Sequence, residues 1–290
     1  MEALERRSRL PFVRRDDRLC TIHLAGENPS AVDVASEAPA LRTALLQHDR
    51  VDRALIALSS PLGIEALPRA QARKLIDAHL DGVGALGEPF GAWGPLALDG
   101  LCADDVDEVL ERDCVGASLP AGAFGPPPAM NLLRPALARL EELDAPLFIH
   151  PGPGLDWSPT DSSVSDPLWW SGMTRYVAQM QAAWLAFCTL ARRDHPDLRV
   201  IFAMLAGGAP LLSERLEARG GPTLNLRDPR TYYETSSFGA VAIGAMARHV
   251  GPEQLLYGSD RPVVEPAPSG RDELLWDNAD WLATGAGALR

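Results

Sequence analysis

Leu255-Leu256-Tyr257-Gly258-Ser259-Asp260-Arg261 is a short apolar run that stops at a glycine, a serine and a carboxylate. Three apolar residues are too few for a helix and fit a buried strand, which places Asp260 at the strand's carboxyl tip. Pro146-Leu147-Phe148-Ile149-His150-Pro151-Gly152 repeats the arrangement with an imidazole in place of the carboxylate. In a barrel of parallel strands all such tips open on one mouth, where these barrels hold their chemistry. A His and an Asp delivered there are donors of the kind that bind a divalent metal.

Working outward, the same grammar recurs from about residue 50. Ala54-Leu55-Ile56-Ala57-Leu58, Phe90-Gly91-Ala92-Trp93, Cys114-Val115-Gly116-Ala117-Ser118, Val200-Ile201-Phe202-Ala203 and Tyr232-Tyr233-Glu234-Thr235 read as further strands. Amphipathic helices are expected near residues 68–80, 103–112, 130–143, 174–193, 210–219, 239–249 and 271–283. Strands alternating with helices define a parallel α/β fold, and continuous apolar strands fit burial on both faces. An open doubly wound sheet would carry a glycine fingerprint after its first strand. Leu58-Ser59-Ser60-Pro61-Leu62-Gly63 is not one, so the expected fold is a TIM-like (β/α) barrel in a single domain spanning residues 1–290.

Such a barrel has eight staves, and the reading above supplies seven. Leu19-Cys20-Thr21-Ile22-His23-Leu24 is either the eighth or one arm of a hairpin with Phe12-Val13. The turn-like Asp16-Asp17-Arg18 favours the hairpin, followed by a helix from about Val32 to His48. Residues 151–173 form a long loop bearing Trp157, Trp169 and Trp170. Loops of that length inside compact domains are usually functional or disordered, and tryptophans argue against disorder. It is read as a lid, with Trp157 and Trp170 expected to line a substrate site.

Bulk properties exclude several classes. The 290 residues carry a net charge of −12, with no basic run to suit a nucleic acid. No apolar stretch is long enough for a membrane span, and the polar amino end does not read as a signal peptide. The four cysteines are far apart and form no CxxC pair, which points to reduced thiols and a cytoplasmic address.

Taken in order, Ala54–Ser60, Phe148-Ile149-His150-Pro151, Phe202–Gly208, Tyr233-Glu234-Thr235-Ser236 and Gly258-Ser259-Asp260-Arg261-Pro262 resemble the amidohydrolase superfamily. The likeness is to the amidohydrolase-related branch that includes aminocarboxymuconate-semialdehyde and resorcylate decarboxylases, and it runs from about residue 10 to 283. It implies one divalent ion, zinc or manganese, at the mouth, with His150 and Asp260 as two ligands. It also implies a His-x-His pair on the first strand and a catalytic His at the tip of strand six. Neither is here: no two of the six histidines are two apart, and Met204 stands at the strand-six position. A thioether cannot transfer a proton. The resemblance therefore implies that the first strand lies upstream and that the chain begins at an internal methionine, rather than that the pair was lost. Such a chain would lack a stave and expose two strand edges, and the ion would be absent or weakly held.

Of the other candidates, His23 is a third ligand only if residues 19–24 form the first strand. His48, His79, His195 and His249 lie by the polar ends of helices and read as surface residues. Asp260 and Glu234 are the expected catalytic residues, Glu234 as a base or a holder of a substrate amine, or alternatively as the buried partner of Arg261 or Arg175. Met204 and Arg261 are expected beside the substrate, although Arg261 next to Asp260 would also serve to neutralise charge. No GxSxG elbow supports a serine nucleophile. The expected activity is metal-dependent hydrolysis or decarboxylation of a small aromatic or unsaturated carboxylate, with a homodimer as the candidate assembly. The rival is a relative that kept the pocket but lost catalysis and serves in binding or assembly.

Overall fold

The computed structural model describes residues 1–16, 19–49, 51–156, 166–261 and 263–264. After a single-turn helix α1 (Glu2–Glu5), strands β1 (Phe12–Asp16), β2 (Leu19–His23) and β3 (Ser30–Asp33) form an antiparallel meander. The expected hairpin is thus present, pairing Phe12 with His23 and Arg15 with Cys20. The third strand is a correction: the helix expected from Val32 begins at Pro39, as α2 (Pro39–Asp49), because Ser30–Asp33 is drawn onto β2.

The α/β unit follows. Its elements are β4 (Ala54–Ile56), α3 (Arg69–Leu86), β5 (Phe90–Ala92), β6 (Gly94–Pro95), α4 (Ala103–Leu110), β7 (Ala117–Pro120), α5 (Pro127–Glu142) and β8 (Leu147–His150). They continue with α6 (Trp170–Met173), α7 (Arg175–Ala186), β9 (Val200–Phe202), α8 (Ser213–Ala218), β10 (Thr231–Glu234), α9 (Ala240–Val250) and β11 (Leu255–Leu256). Strands β6 to β11 form a six-stranded parallel sheet in chain order, and β4 pairs with β5. Trp93 joins β5 to β6 as one bent stave, its amide bonded to the Ile56 carbonyl at 3.0 Å. This is the TIM-like barrel expected. Among the described residues no pairing joins β11 to β4. An ion pair of 3.1 Å between Asp49, which ends α2, and Arg261, which follows β11, links the two ends of the run.

Register fixes which side chains face the interior, because residues two apart on a strand share a face. Trp184 of α7 donates its indole N–H to the Tyr233 hydroxyl at 3.0 Å, and Phe187 packs edge-on to Phe202 at 5.9 Å. Tyr233, Phe202 and Ile149, which are in register, therefore face the helices. Phe148, His150 and Glu234 alternate with them and face inward, where Phe148 stacks on Trp93 at 5.3 Å.

Two of the histidines expected at the surface are not there. His195 is buried with its Nδ1 3.1 Å from Glu141, since a carboxylate from α5 lets a polar ring be covered. His79 is half-buried on α3, and burial lowers its pKa to about 4.

The chain leaves β9 through an unusual turn. Met204, Leu205, Ala206, Gly207 and Gly208 all have positive φ, between 50° and 76°. For an L-residue each such position costs roughly 1–2 kcal/mol. Gly207 meets a second demand, as a Cβ there would lie 2.7 Å from the Val177 carbonyl oxygen, whereas Gly208 has nothing within 4 Å. Gly207→Ala is expected to cost about 3 kcal/mol and Gly208→Ala about 1 kcal/mol, read from urea midpoints. Equal losses would show that backbone conformation alone sets the cost.

Candidate functional site

His150 is the last residue of β8, and its Nδ1 lies 2.9 Å from the Pro151 carbonyl oxygen. A carbonyl can only accept, so Nδ1 carries the hydrogen and Nε2 keeps its lone pair. Burial holds the imidazole below its usual pKa, favouring the neutral form that ligates metals.

Glu234 is the last residue of β10. Its Oε1 accepts from the Ser236 amide at 2.8 Å, and its Oε2 from the Ser236 hydroxyl at 2.7 Å and the Met204 amide at 3.2 Å. Burial pushes its pKa up to about 7, against those hydrogen bonds, with the Asp260 carboxylate adding to the rise. Room for it is made by Gly258, where any Cβ would fall 1.3 Å from Oε1. Asp260 lies beyond β11 in the left-handed region, φ 52°, and accepts from the Ser237 hydroxyl at 3.1 Å. Burial raises its pKa as well.

The remaining expected residues fall elsewhere. Arg261 points its guanidinium at Asp49, buried with it, so the charge-neutralising role is the one its geometry supports. Met204 contributes its backbone amide to Glu234 and packs its side chain on the core. Trp170 is 47% exposed at the start of α6, tilted against Trp169 at 5.7 Å. Trp157 lies outside the described residues. His23 stacks on Phe12 at 4.4 Å within the meander.

Sequence reading missed Glu65. It is fully buried in the connection that leaves β4, where Ser60 donates to its Oε1 at 2.5 Å. Its Oε2 has no hydrogen-bond partner among the described residues. Burial lifts its pKa to about 7. Ser60 packs on Gly152, two residues past His150, so this carboxyl lies close to the chain leaving the tip of β8.

A divalent ion needs at least three protein donors in a catalytic site. His150 and Asp260 lie at or beyond the tips of β8 and β11, with β9 and β10 between. Among the described residues no three His, Cys, Asp or Glu side chains gather closely enough to hold an ion. The described residues therefore do not fit a complete metal centre.

Residues 38–288 match the amidohydrolase (Amidohydro_2) family. The chain belongs to that family. This amidohydrolase is thus an enzyme-superfamily member with the expected barrel. No curated protein sequence matches it significantly. Its fold is shared with the apo IDCase of Metarhizium anisopliae, at 18% identity and a TM-score of 0.71, covering 99% of this chain and 89% of that one. It is shared too with the 5-carboxyvanillate decarboxylase of Novosphingobium aromaticivorans, solved with manganese and 3-methoxy-4-hydroxy-5-nitrobenzoic acid. There the identity is 19% and the TM-score 0.67, covering 84% and 80%. The 2,6-dihydroxybenzoate decarboxylase from Rhizobium gives 19% and 0.64, covering 84% and 87%. No helix among this amidohydrolase's described residues is long and apolar enough to cross a membrane.

Proposed function

We propose that this amidohydrolase decarboxylates a small aromatic carboxylate, with Glu234 as the proton donor. The observation that carries the reading is an inward-facing carboxyl at a stave tip whose pKa of about 7 keeps it partly protonated at neutral pH. In the step, the Glu234 proton adds to the ring carbon that bears the carboxylate. The carbon–carbon bond then breaks, its electron pair restores the ring, and carbon dioxide leaves. Glu234 regains its proton from solvent. Support from relatives is at the level of fold: two of the decarboxylases that share the barrel act on hydroxylated benzoates by name.

His150 and Asp260 are proposed as two donors to a zinc or manganese ion, a set that the described residues do not complete. A second reading, a non-catalytic relative that binds such acids, is favoured by Met204 at the strand-six tip and by that same shortfall. One experiment separates them: the purified full chain, with manganese or zinc added, is incubated with 2,6-dihydroxybenzoate and 5-carboxyvanillate while carbon dioxide is measured. Release above the protein-free rate is expected. Binding of these acids without release would leave the second reading.

A further inference from the structure

The loop between β2 and β3 reaches the rim of the barrel mouth. There the Glu27 Oε1 accepts from the Arg175 guanidinium and, at 2.5 Å, from the Tyr176 hydroxyl. Arg175 also donates to the Gly26 carbonyl at 3.2 Å, and Asn28 donates to the Asp166 carbonyl at 2.6 Å. The ion pair is largely covered, its side chains 24% and 17% exposed. It borders a narrow cleft that Pro61, Gly152, Pro153 and Gln179 also line. Gly152 follows His150 by two residues and donates its amide to Gln179 at 3.1 Å, which sets the cleft on the edge of the catalytic mouth.

A guanidinium and a phenol converging on one carboxylate oxygen are a receptor for a carboxylate, because charge-assisted donors are the strong ones and arginine presents them in a fixed fork. Burial, reinforced by the facing carboxylate, pushes the Tyr176 phenol up, so it stays a donor. The present occupant comes from a loop of the meander, not from the barrel. Displacing it exchanges one carboxylate for another at the guanidinium, and returns Glu27 to water, where a lone carboxylate is well solvated.

We propose that Arg175 and Tyr176 form a monocarboxylate subsite at the rim of the mouth, which Glu27 fills as an internal ligand until an aromatic carboxylate displaces it. The class of ligand rests on the reading of the mouth as a site for aromatic acids. Glu27 then acts as a built-in competitor, lowering apparent affinity by the fraction of time it is seated.

The test is calorimetric titration of benzoate into the full chain kept metal-free with a chelator. Glu27→Gln is expected to bind benzoate on the order of tenfold more tightly than wild type. Neutral benzamide is expected to gain nothing, and Arg175→Met in the Glu27→Gln background to abolish the gain. An unchanged affinity, an equal gain for benzamide, or a gain that survives Arg175→Met would overturn the proposal. A measurement on wild type covers the case of a variant that does not fold. Saturating benzoate, but not benzamide, is expected to raise deuterium uptake of the amides of residues 24–28, and unchanged uptake would again overturn it. Carbon dioxide is not read in these experiments. Absence of carbon dioxide release in the separate decarboxylation assay would remove only the decarboxylase reading and leave the subsite to be decided by these binding measurements.

Discussion

Replacing Glu234 by glutamine is expected to lower kcat on an aromatic carboxylate by about 10²–10⁴-fold, the usual worth of a positioned acid. The replacement keeps the volume that Gly258 accommodates, where a Cβ would meet Oε1 at 1.3 Å. It also turns one acceptor into a donor, facing groups that now donate to the carboxylate: the Met204 amide, the Ser236 amide and the Ser236 hydroxyl. A stability loss of about 1–3 kcal/mol should accompany it. Steady-state kinetics on folded protein, checked by its unfolding midpoint, separates the two effects. A loss in kcat below tenfold would mean that another group delivers the proton.

The second large effect concerns stability and pH. Glu65 has a folded pKa of about 7 against an ordinary 4.5. Below pH 4.5 the carboxyl is protonated in both states and contributes nothing. As pH rises from 4.5 to 7 the unfolded chain releases the proton and the folded chain keeps it, so stability falls across that window and the full penalty stands above 7. Its size is about 3 kcal/mol, from the usual conversion of a pKa shift to free energy. Glu65→Gln removes the titration, so its stability relative to wild type should rise by about 2.5 kcal/mol between pH 5 and pH 8, part of the penalty being present already at pH 5. Paired urea titrations at the two pH values measure this, and the comparison cancels every other titrating group. A relative stability that does not change with pH would show that Glu65 is solvated in the folded chain.

The staves were legible because each is a short run of apolar residues buried on both faces, and that pattern survives without knowledge of partners. The third strand of the meander was not. Ser30–Asp33 alternates half-buried with exposed residues and gains its strand character from pairing with β2. The tips of β8 and β10 announced His150 and Glu234, since a polar residue ending a buried run has few other reasons to be there. Glu65 gave no such signal. It sits in a connecting segment, where an acid normally meets water, and only the folded packing buries it beside Ser60. Arg261 looked equally suited to a substrate or to a neighbouring charge, and its geometry favours Asp49, a residue 212 positions away whose approach no local pattern announces. The left-handed turn was half-visible, in Gly207-Gly208. Met204, Leu205 and Ala206 carry no local preference for it, and the turn at the end of β9 imposes it.

That turn has a stereochemical corollary. Positive φ is the right-handed helical region seen in a mirror, so residues 204–206 occupy backbone geometry native to D-amino acids. A chain assembled by ligation with D-alanine at 206 would relax the backbone without deleting a methyl group. Chirality thus offers a way to weigh conformational tension in this connection separately from the volume its side chains fill.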